Sequence, residues 1–171
     1  MAEKADATLL NEVRAKMGEK TKYSFEQLLK EQESFTYHFK GDSMEPFLNQ
    51  KTDLVVICRP VAPLKPYDVI LYKRDSGQYV LHRILKCRAK DYLISGDNRW
   101  FLESGITDRH VLGILTGVIR DGKMISVEEL TDPKYLFWNC KLFWLRAVKL
   151  RIKFLFRRLK NGKRVIDHGR T

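Results

Sequence analysis

Ser43 and His82 are residues whose types could carry covalent chemistry in this chain. A serine hydroxyl becomes a useful nucleophile at neutral pH only beside a base that takes its proton. A histidine, with an ordinary pKa near 6.5, can accept that proton and return it. Ser43 lies in a turn-like hexapeptide that runs from Gly41 to Pro46, and an isolated serine in a turn is more often structural than catalytic. These two residue types alone therefore leave hydrolysis and a structural role both open.

Metal-dependent chemistry is a weaker hypothesis. The other histidines, His38, His110 and His168, have no metal-ligand spacing, and no His-Glu-x-x-His motif occurs. The three cysteines lie far apart and form no Cys-x-x-Cys pair. A zinc site and a disulfide framework are both disfavoured, and a reducing compartment is favoured. We therefore expect no metal and no cofactor.

Short strand-like runs fill the middle of the chain and would position these residues. The runs are mostly four to nine residues long and rich in Val, Ile, Leu and Tyr, and turn residues separate them. They are Phe35–Phe39, Leu54–Cys58, Val69–Tyr72, Tyr79–Leu85, Tyr92–Ile94, Val111–Ile119 and Met124–Val127. Asp121-Gly122 predicts a hairpin between the last two runs. Because no long helices alternate with the runs, we predict a mainly β, antiparallel domain over residues 35–130.

The two ends of the chain differ from this domain in composition. In residues 1–34, Leu9, Leu10, Val13 and Met17 recur at helical spacing, and Ser24 can begin a second helix. These residues predict a helical N-terminal arm, and no signal peptide is visible in it. Residues 1–133 carry 20 Lys/Arg against 20 Asp/Glu, whereas residues 134–171 carry 12 against one. The net charge of +11 therefore lies in a basic tail, which favours a polyanionic partner.

Five ordered segments resemble the signal peptidase I and SOS-repressor peptidase superfamily. They match its nucleophile motif, two Gly-Asp strand elements, its general-base element and its closing Gly-Asp-Asn and Asp-Arg element, in the order of the family. The segments are Gly41–Pro46, Thr52–Ile57, Tyr67–Tyr72, Val80–Leu85 and, as two parts of the last element, Ile94–Arg99 and Thr107–Gly113. The resemblance covers roughly residues 35–120. It implies a signal-peptidase-like antiparallel β fold with serine endopeptidase activity.

The resemblance also implies roles for individual residues. Ser43 would be the nucleophile, with Met44 packed beneath it and Pro46 turning the chain so that the hydroxyl faces a cleft. His82 would be the general base, as in the Ser-His type of the superfamily. A third group should orient the imidazole, and Asp108 is preferred over Asp97 for that role. The expected supporting residues are Asp97, Met44, Pro46, Gly96, Asn98 and Arg109.

Gly41 stands where many signal peptidases carry a serine or threonine that helps to bind the oxyanion. The oxyanion would then rest on backbone N–H groups, chiefly that of Ser43. The resulting hypothesis is an endopeptidase that holds a peptide in an extended conformation and cleaves a leader or signal segment through an acyl-enzyme. The alternative is a catalytically silent peptide-binding or regulatory module of the same fold.

The tail over residues 134–164 interleaves bulky apolar residues with Lys and Arg. Its longest uncharged run has six residues, whereas a transmembrane helix needs about 20. A basic amphipathic helix on an anionic membrane surface is favoured over a helix packed on the domain, and nucleic acid is the least favoured partner. We therefore expect a cytoplasmic, peripherally membrane-associated protein. The predicted membrane-surface residues are Trp138, Trp144, Arg146, Lys149, Lys153, Arg157 and Lys160.

Overall fold

An antiparallel sheet forms the body of the protein in the computed structural model, which describes residues 24–61 and 63–167, with side chains described as far as Arg157. The strands are β1 Ser34–Tyr37, β2 Asp53–Cys58, β3 Val69–Lys73, β4 Tyr79–Cys87, β5 Tyr92–Ser95, β6 Glu103–Ile106, β7 Val111–Arg120 and β8 Lys123–Ser126. Their order in the sheet is β1-β2-β7-β3-β4-β5-β6, and β8 pairs with β7. The mainly β fold class is confirmed, and each predicted run coincides with a strand to within two residues.

Local sequence explains the β7–β8 hairpin but not β6. Asp121 and Gly122 both have positive φ, at 51° and 77°, and Arg120 pairs with Lys123 across them. This two-residue turn matches the twist of the strands that it joins. Strand β6 pairs with β5 but was not predicted, because Glu-Ser-Gly-Ile lacks the alternation of apolar and polar residues that marks a strand.

Strand β3 separates two clusters of buried apolar side chains. Val69 and Leu71 belong to the first cluster, whereas Ile70 and Tyr72 belong to the second. Successive side chains of a strand point to opposite faces of its sheet, so β3 is covered on both faces. The first cluster also contains Leu29 and the buried residues of the β1–β2 loop, and it anchors that loop on the sheet.

Helix α1, Phe25–Glu31, begins at the predicted position. The Gln27 N–H donates to Ser24 Oγ at 3.3 Å, and the Ser24 N–H donates to Gln27 Oε1 at 2.9 Å. This reciprocal capping box satisfies two N–H groups that a helix start leaves without partners. The Phe25 ring stacks on Phe35, with 5.4 Å between ring centroids, and so fixes α1 against β1. The earlier predicted helix, with Leu9 to Met17, lies outside the described residues.

The C-terminal segment packs on the domain over its first part. It contains α2 (Val127–Leu130), α3 (Pro133–Leu136), a π-helical turn (Phe137–Lys141) and the long helix α4 (Phe143–Asp167). Asn139, Phe143, Arg146 and Ala147 are all buried. After Ala147 every described side chain except the half-buried Leu150 is exposed. Within residues 24–61 and 63–167, no helix combines the length and apolar character needed to cross a membrane.

Candidate active site

Ser43 lies in the loop between β1 and β2, and its neighbours in sequence hold that loop in the core. Met44, Phe47 and Leu48 are all buried, and Met44 is only 1% exposed. Gly41 has φ = +112°, which side chains with a β-carbon adopt only with strain. Its N–H donates to Gln50 Oε1 at 2.8 Å. A serine or threonine at position 41 would therefore strain the loop that presents Ser43.

His82 lies on β4 and faces the Ser43 loop. A β-carbon placed on Gly96 would lie 2.9 Å from His82 Nε2 and 2.7 Å from the Ser43 carbonyl oxygen. The absence of a side chain at Gly96 thus lets the imidazole approach this loop. Ser43 and His82 both line a cleft of about 550 Å³. No hydrogen bond joins the Ser43 hydroxyl to His82 in the part of the chain that the structure describes.

The turn formed by Gly96–Arg99, here named the 96–99 turn, fixes the Ser43 loop. The Asn98 N–H donates to the Ser43 carbonyl oxygen at 2.7 Å, and Asn98 Nδ2 donates to the Asp42 carbonyl oxygen at 3.1 Å. Arg99 Nη2 also donates to Asp42 Oδ1 at 2.7 Å. Gly96 and Asn98, both predicted as supporting residues, therefore adjoin the predicted nucleophile.

Asp97 belongs to the 96–99 turn, and its side chain is buried and does not hydrogen-bond to His82. Arg83 donates to its carboxylate through Nε at 3.0 Å and Nη2 at 2.8 Å, and the Tyr135 hydroxyl donates at 2.9 Å. The side chains of Arg83 and Asp97 are 1% and 2% exposed, so this ion pair is shielded from water. Asp97 thus joins β4 to the C-terminal segment rather than orienting the imidazole.

The structure does not bring Asp108 or Arg109 to the cleft, in contrast to the sequence-based assignment. Asp108 accepts a hydrogen bond from the Tyr92 hydroxyl. Burial raises the pKa of Cys87, and the charges of Asp68 and, to a smaller extent, Asp108 add to this effect. Cys87 lies five residues after His82 on β4, or about 17 Å at the rise of a strand. Arg109 is exposed beside Asp75, at 3.6 Å. The Asp-Arg part of the motif therefore follows β6 without reaching the histidine.

Tyr72, Glu103 and Arg74 occupy the other side of His82. The Tyr72 hydroxyl lies 3.3 Å from His82 Nδ1 and donates to Glu103 Oε2 at 2.9 Å. Arg74 Nε donates to Glu103 Oε1 at 2.7 Å. Sequence reasoning missed this group, because Glu103 lies between the matched segments Ile94–Arg99 and Thr107–Gly113 and belongs to neither. The available signal was the strand run itself, since Tyr72 and His82 lie on strands that a short turn joins.

Burial lowers the pKa of His82 from 6.5 to about 4. The side chain is 5% exposed, so the imidazolium loses most of its hydration. Glu103 opposes this effect, while Arg74 and Arg99 add to it. The imidazole is therefore neutral at pH 7, the state in which it can accept a proton.

The backbone of the Ser43 loop offers N–H groups to an oxyanion. Among the described residues, the N–H groups of Ser43 and Met44 donate no hydrogen bond. Free N–H groups beside a nucleophile can stabilise the negative charge of a tetrahedral intermediate.

Comparison with known proteins found no match: no family model, curated protein or solved structure matches the chain. Among the described residues, no group of three or more His, Cys, Asp or Glu side chains could hold a metal ion. The function is therefore inferred from the side chains that line the cleft.

The predicted membrane-surface residues divide into two groups. Trp144 and Trp138 are 70% and 43% exposed, and Lys149, Lys153 and Arg157 are exposed as well. Arg146, in contrast, is buried: its Nη1 donates to the Gly96 carbonyl oxygen at 3.2 Å and to that of Asp97. Its assignment to the membrane surface was wrong, because the side chain turns into the protein, where these carbonyl groups accept hydrogen bonds from Nη1. The Lys160 side chain lies outside the described residues.

Proposed function

We propose that this chain is a serine endopeptidase of the signal-peptidase type, with Ser43 as nucleophile and His82 as general base. The observation that carries the proposal is the cleft that Ser43 and His82 share. In it, His82 Nε2 and the Ser43 carbonyl oxygen lie 2.9 Å and 2.7 Å from the position that a β-carbon on Gly96 would occupy. Neutral His82 would take the Ser43 proton as Oγ attacks the scissile carbonyl carbon. It would then give that proton to the leaving amine, which leaves an acyl-enzyme for water to hydrolyse.

The edge of β4 favours an extended peptide as substrate. Tyr79–His82 pair with β3 on one side, whereas pairing with β5 begins only at Arg83. Tyr79, Val80 and Leu81 also line the cleft. A peptide can therefore add main-chain hydrogen bonds to this half of the strand and lie across Ser43. The apolar floor of the cleft, which includes Phe39 and Leu71, would receive apolar side chains.

Covalent labelling with a serine-reactive fluorophosphonate tests the proposal. The probe should label the full chain at Ser43, and Ser43→Ala should abolish labelling. Ser76→Ala is the matched control, because Ser76 is exposed in the β3–β4 turn and does not line the cleft. His82→Asn should slow labelling by on the order of 10²-fold or more. An unlabelled chain that still binds extended peptides would instead favour the catalytically silent module.

We also propose that helix α4 holds the enzyme on an anionic membrane surface. Leu145, Val148, Ile152 and Leu155 follow one another at helical spacing, and each is at least 48% exposed. Lys149, Arg151, Lys153 and Arg157 are exposed on the same helix without an acidic residue among them. An apolar stripe flanked by cations fits the interface of an anionic bilayer.

Vesicle binding tests this second proposal. The chain should bind vesicles that contain phosphatidylglycerol, and Lys153→Gln with Arg157→Gln should weaken binding about 30-fold, at about 1 kcal/mol per charge. Ile152→Ser with Leu155→Ser should remove the part of vesicle binding that persists at high salt, because that part comes from apolar burial. Met124→Ser is the control, since Met124 is an exposed apolar residue of the β7–β8 hairpin. The proposal would be contradicted if the Ile152→Ser, Leu155→Ser variant bound these vesicles as tightly as the wild type does, or if the wild type preferred nucleic acid to vesicles.

A further inference from the structure

We infer that Tyr72 and Glu103 are positioning residues that replace the usual triad carboxylate: together they hold His82 in the tautomer whose Nε2 can accept the Ser43 proton. This inference rests on the proposed function, because it assigns the orientation of the proposed general base. In the Ser-His-Asp arrangement a carboxylate contacts Nδ1 directly. Here a tyrosine hydroxyl stands between the ring and the carboxylate.

The sheet register places Tyr72 and His82 on one face. His82 pairs with Ile70, and Tyr72 pairs with Val80, so the two side chains are diagonal neighbours on adjacent strands. Long side chains at such positions can touch. The 3.3 Å between the Tyr72 hydroxyl and His82 Nδ1 is that contact. It is fixed by strand pairing rather than by a loop.

Counting protons determines which tautomer His82 adopts. A tyrosine hydroxyl has one proton, and Tyr72 donates it to Glu103 at 2.9 Å. Burial raises the pKa of Glu103, but the hydrogen bonds from Arg74 and Tyr72 lower it by more, so the net shift is downward. The side chain is therefore an ionised carboxylate, which accepts hydrogen bonds and donates none. The remaining lone pairs of the Tyr72 oxygen can only accept, so Nδ1 must be the donor. Neutral His82 therefore carries its proton on Nδ1.

The free lone pair of His82 then lies on the side of Ser43. Nε2 is the ring atom that would lie 2.9 Å from a β-carbon on Gly96, and that point is 2.7 Å from the Ser43 carbonyl oxygen. During attack, Oγ would form its bond to the carbonyl carbon while its proton moves to Nε2. The Nδ1–H group would keep its hydrogen bond to Tyr72, and the Glu103 charge would stabilise the imidazolium across that hydroxyl. The proton then leaves with the departing amine.

Both histidine nitrogens report on this tautomer in nuclear magnetic resonance. In ¹⁵N-histidine-labelled wild-type protein at pH 7, we expect His82 to be protonated at Nδ1 and bare at Nε2, with His82→Asn giving the assignment. Tyr72→Phe removes the acceptor, and Glu103→Gln frees the Tyr72 proton to face Nδ1. Both variants should shift the population toward the Nε2–H tautomer. Because Tyr72 is fully buried, Glu103→Gln provides the test if Tyr72→Phe fails to fold.

Tyr92→Phe is the matched control for both readouts. Tyr92 is a half-buried tyrosine of β5 that does not line the cleft, and its hydroxyl donates to Asp108 rather than to Glu103. Fluorophosphonate labelling of Ser43 should slow by on the order of tenfold in Tyr72→Phe and Glu103→Gln, and by less than twofold in Tyr92→Phe.

The two readouts distinguish failure of the proposed function from failure of the present inference. If wild-type Ser43 is not labelled, the proposed function is wrong, while the tautomer measurement still decides how His82 is oriented. If Ser43 is labelled but His82 carries its proton on Nε2 in the wild type, the positioning role is wrong. The same conclusion follows if Glu103→Gln changes neither the tautomer nor the labelling rate.

Discussion

Replacing His82 with asparagine should remove a specific pH dependence from the stability of the fold. The imidazole has a pKa of about 4 in the folded chain and near 6.5 when unfolded, because folding strips water from it. At pH values between about 4 and 6.5, the unfolded state binds a proton on His82 and the folded state does not. Wild-type stability should therefore fall as the pH drops through 6.5 and should level off below about 4.

The size of this effect follows from the two pKa values. At pH 5 the unfolded histidine is almost wholly protonated, whereas about a tenth of the folded histidine is. The corresponding loss of stability is about 2 kcal/mol relative to pH 7.5. Asparagine at position 82 does not titrate, and its side-chain amide can still donate to the Tyr72 oxygen. The stability difference between wild type and His82→Asn should thus change by about 2 kcal/mol over this range.

Urea denaturation at pH 7.5, 6, 5 and 4.5 measures the difference, because other titrating groups are common to the two proteins. Ser43→Ala serves as control: it retains His82 and should follow the wild type at every pH. Parallel curves for wild type and His82→Asn would refute the reasoning, since they would mean that folding leaves the imidazole hydrated.

Three further predictions concern the site and the C-terminal segment. Gly96→Ala should slow fluorophosphonate labelling of Ser43 by on the order of tenfold or more, because its β-carbon would lie 2.7 Å from the Ser43 carbonyl oxygen and 2.9 Å from His82 Nε2. An unchanged rate would show that Ser43 and His82 do not approach each other at Gly96. The labelling rate should stay constant from pH 8 to pH 5 and fall only near the folded pKa of about 4, whereas an acid limb near the ordinary histidine value of 6–7 would contradict the burial of this ring. Truncation after Asp132 should cost at least about 2 kcal/mol of stability in urea, because it removes buried Phe143 and Arg146. Truncation after Leu150 should cost less than about 1.5 kcal/mol, because it removes the Phe154 ring whose centroid lies 4.9 Å from that of Trp100, and it should strongly weaken vesicle binding. The reverse order of stability effects would show that the exposed part of α4 holds the fold.

Most strands could be predicted from sequence because their signals are local. Apolar runs and turn residues define them, and Asp121-Gly122 determines the register of β7 and β8. Strand β6 carries only a weak local signal, since Ser104 and Gly105 interrupt its pattern. Its pairing with β5 depends on the rest of the sheet, which no window of a few residues contains.

Motif resemblance identified Ser43 and His82, which line one cleft, but not the contacts of the imidazole. Glu103 reaches His82 only through Tyr72, which lies 31 residues away in sequence. No spacing rule predicts a contact that a third residue mediates across the sheet. Asp108 matched the family pattern, yet β6 and the turn after it carry it away from the histidine.

Helical periodicity predicted α4 but gave Arg146 the wrong environment. A helical wheel sorts residues by polarity, and Arg146 falls among the cations of the helix. Its actual partners are backbone carbonyl groups of Gly96 and Asp97, 50 and 49 residues earlier. Such acceptors have no sequence signature, because every residue carries one.

The contact of Arg146 with the 96–99 turn also sets an order of events during synthesis. Strands β1–β8, Ser43 and His82 leave the ribosome before Arg146 does, because chains are made from the N-terminus. The turn beside His82 therefore gains this buried partner only after β1–β8 have been made. A chain released early carries both residues of the cleft but lacks the guanidinium that holds the carbonyl groups of Gly96 and Asp97 in place.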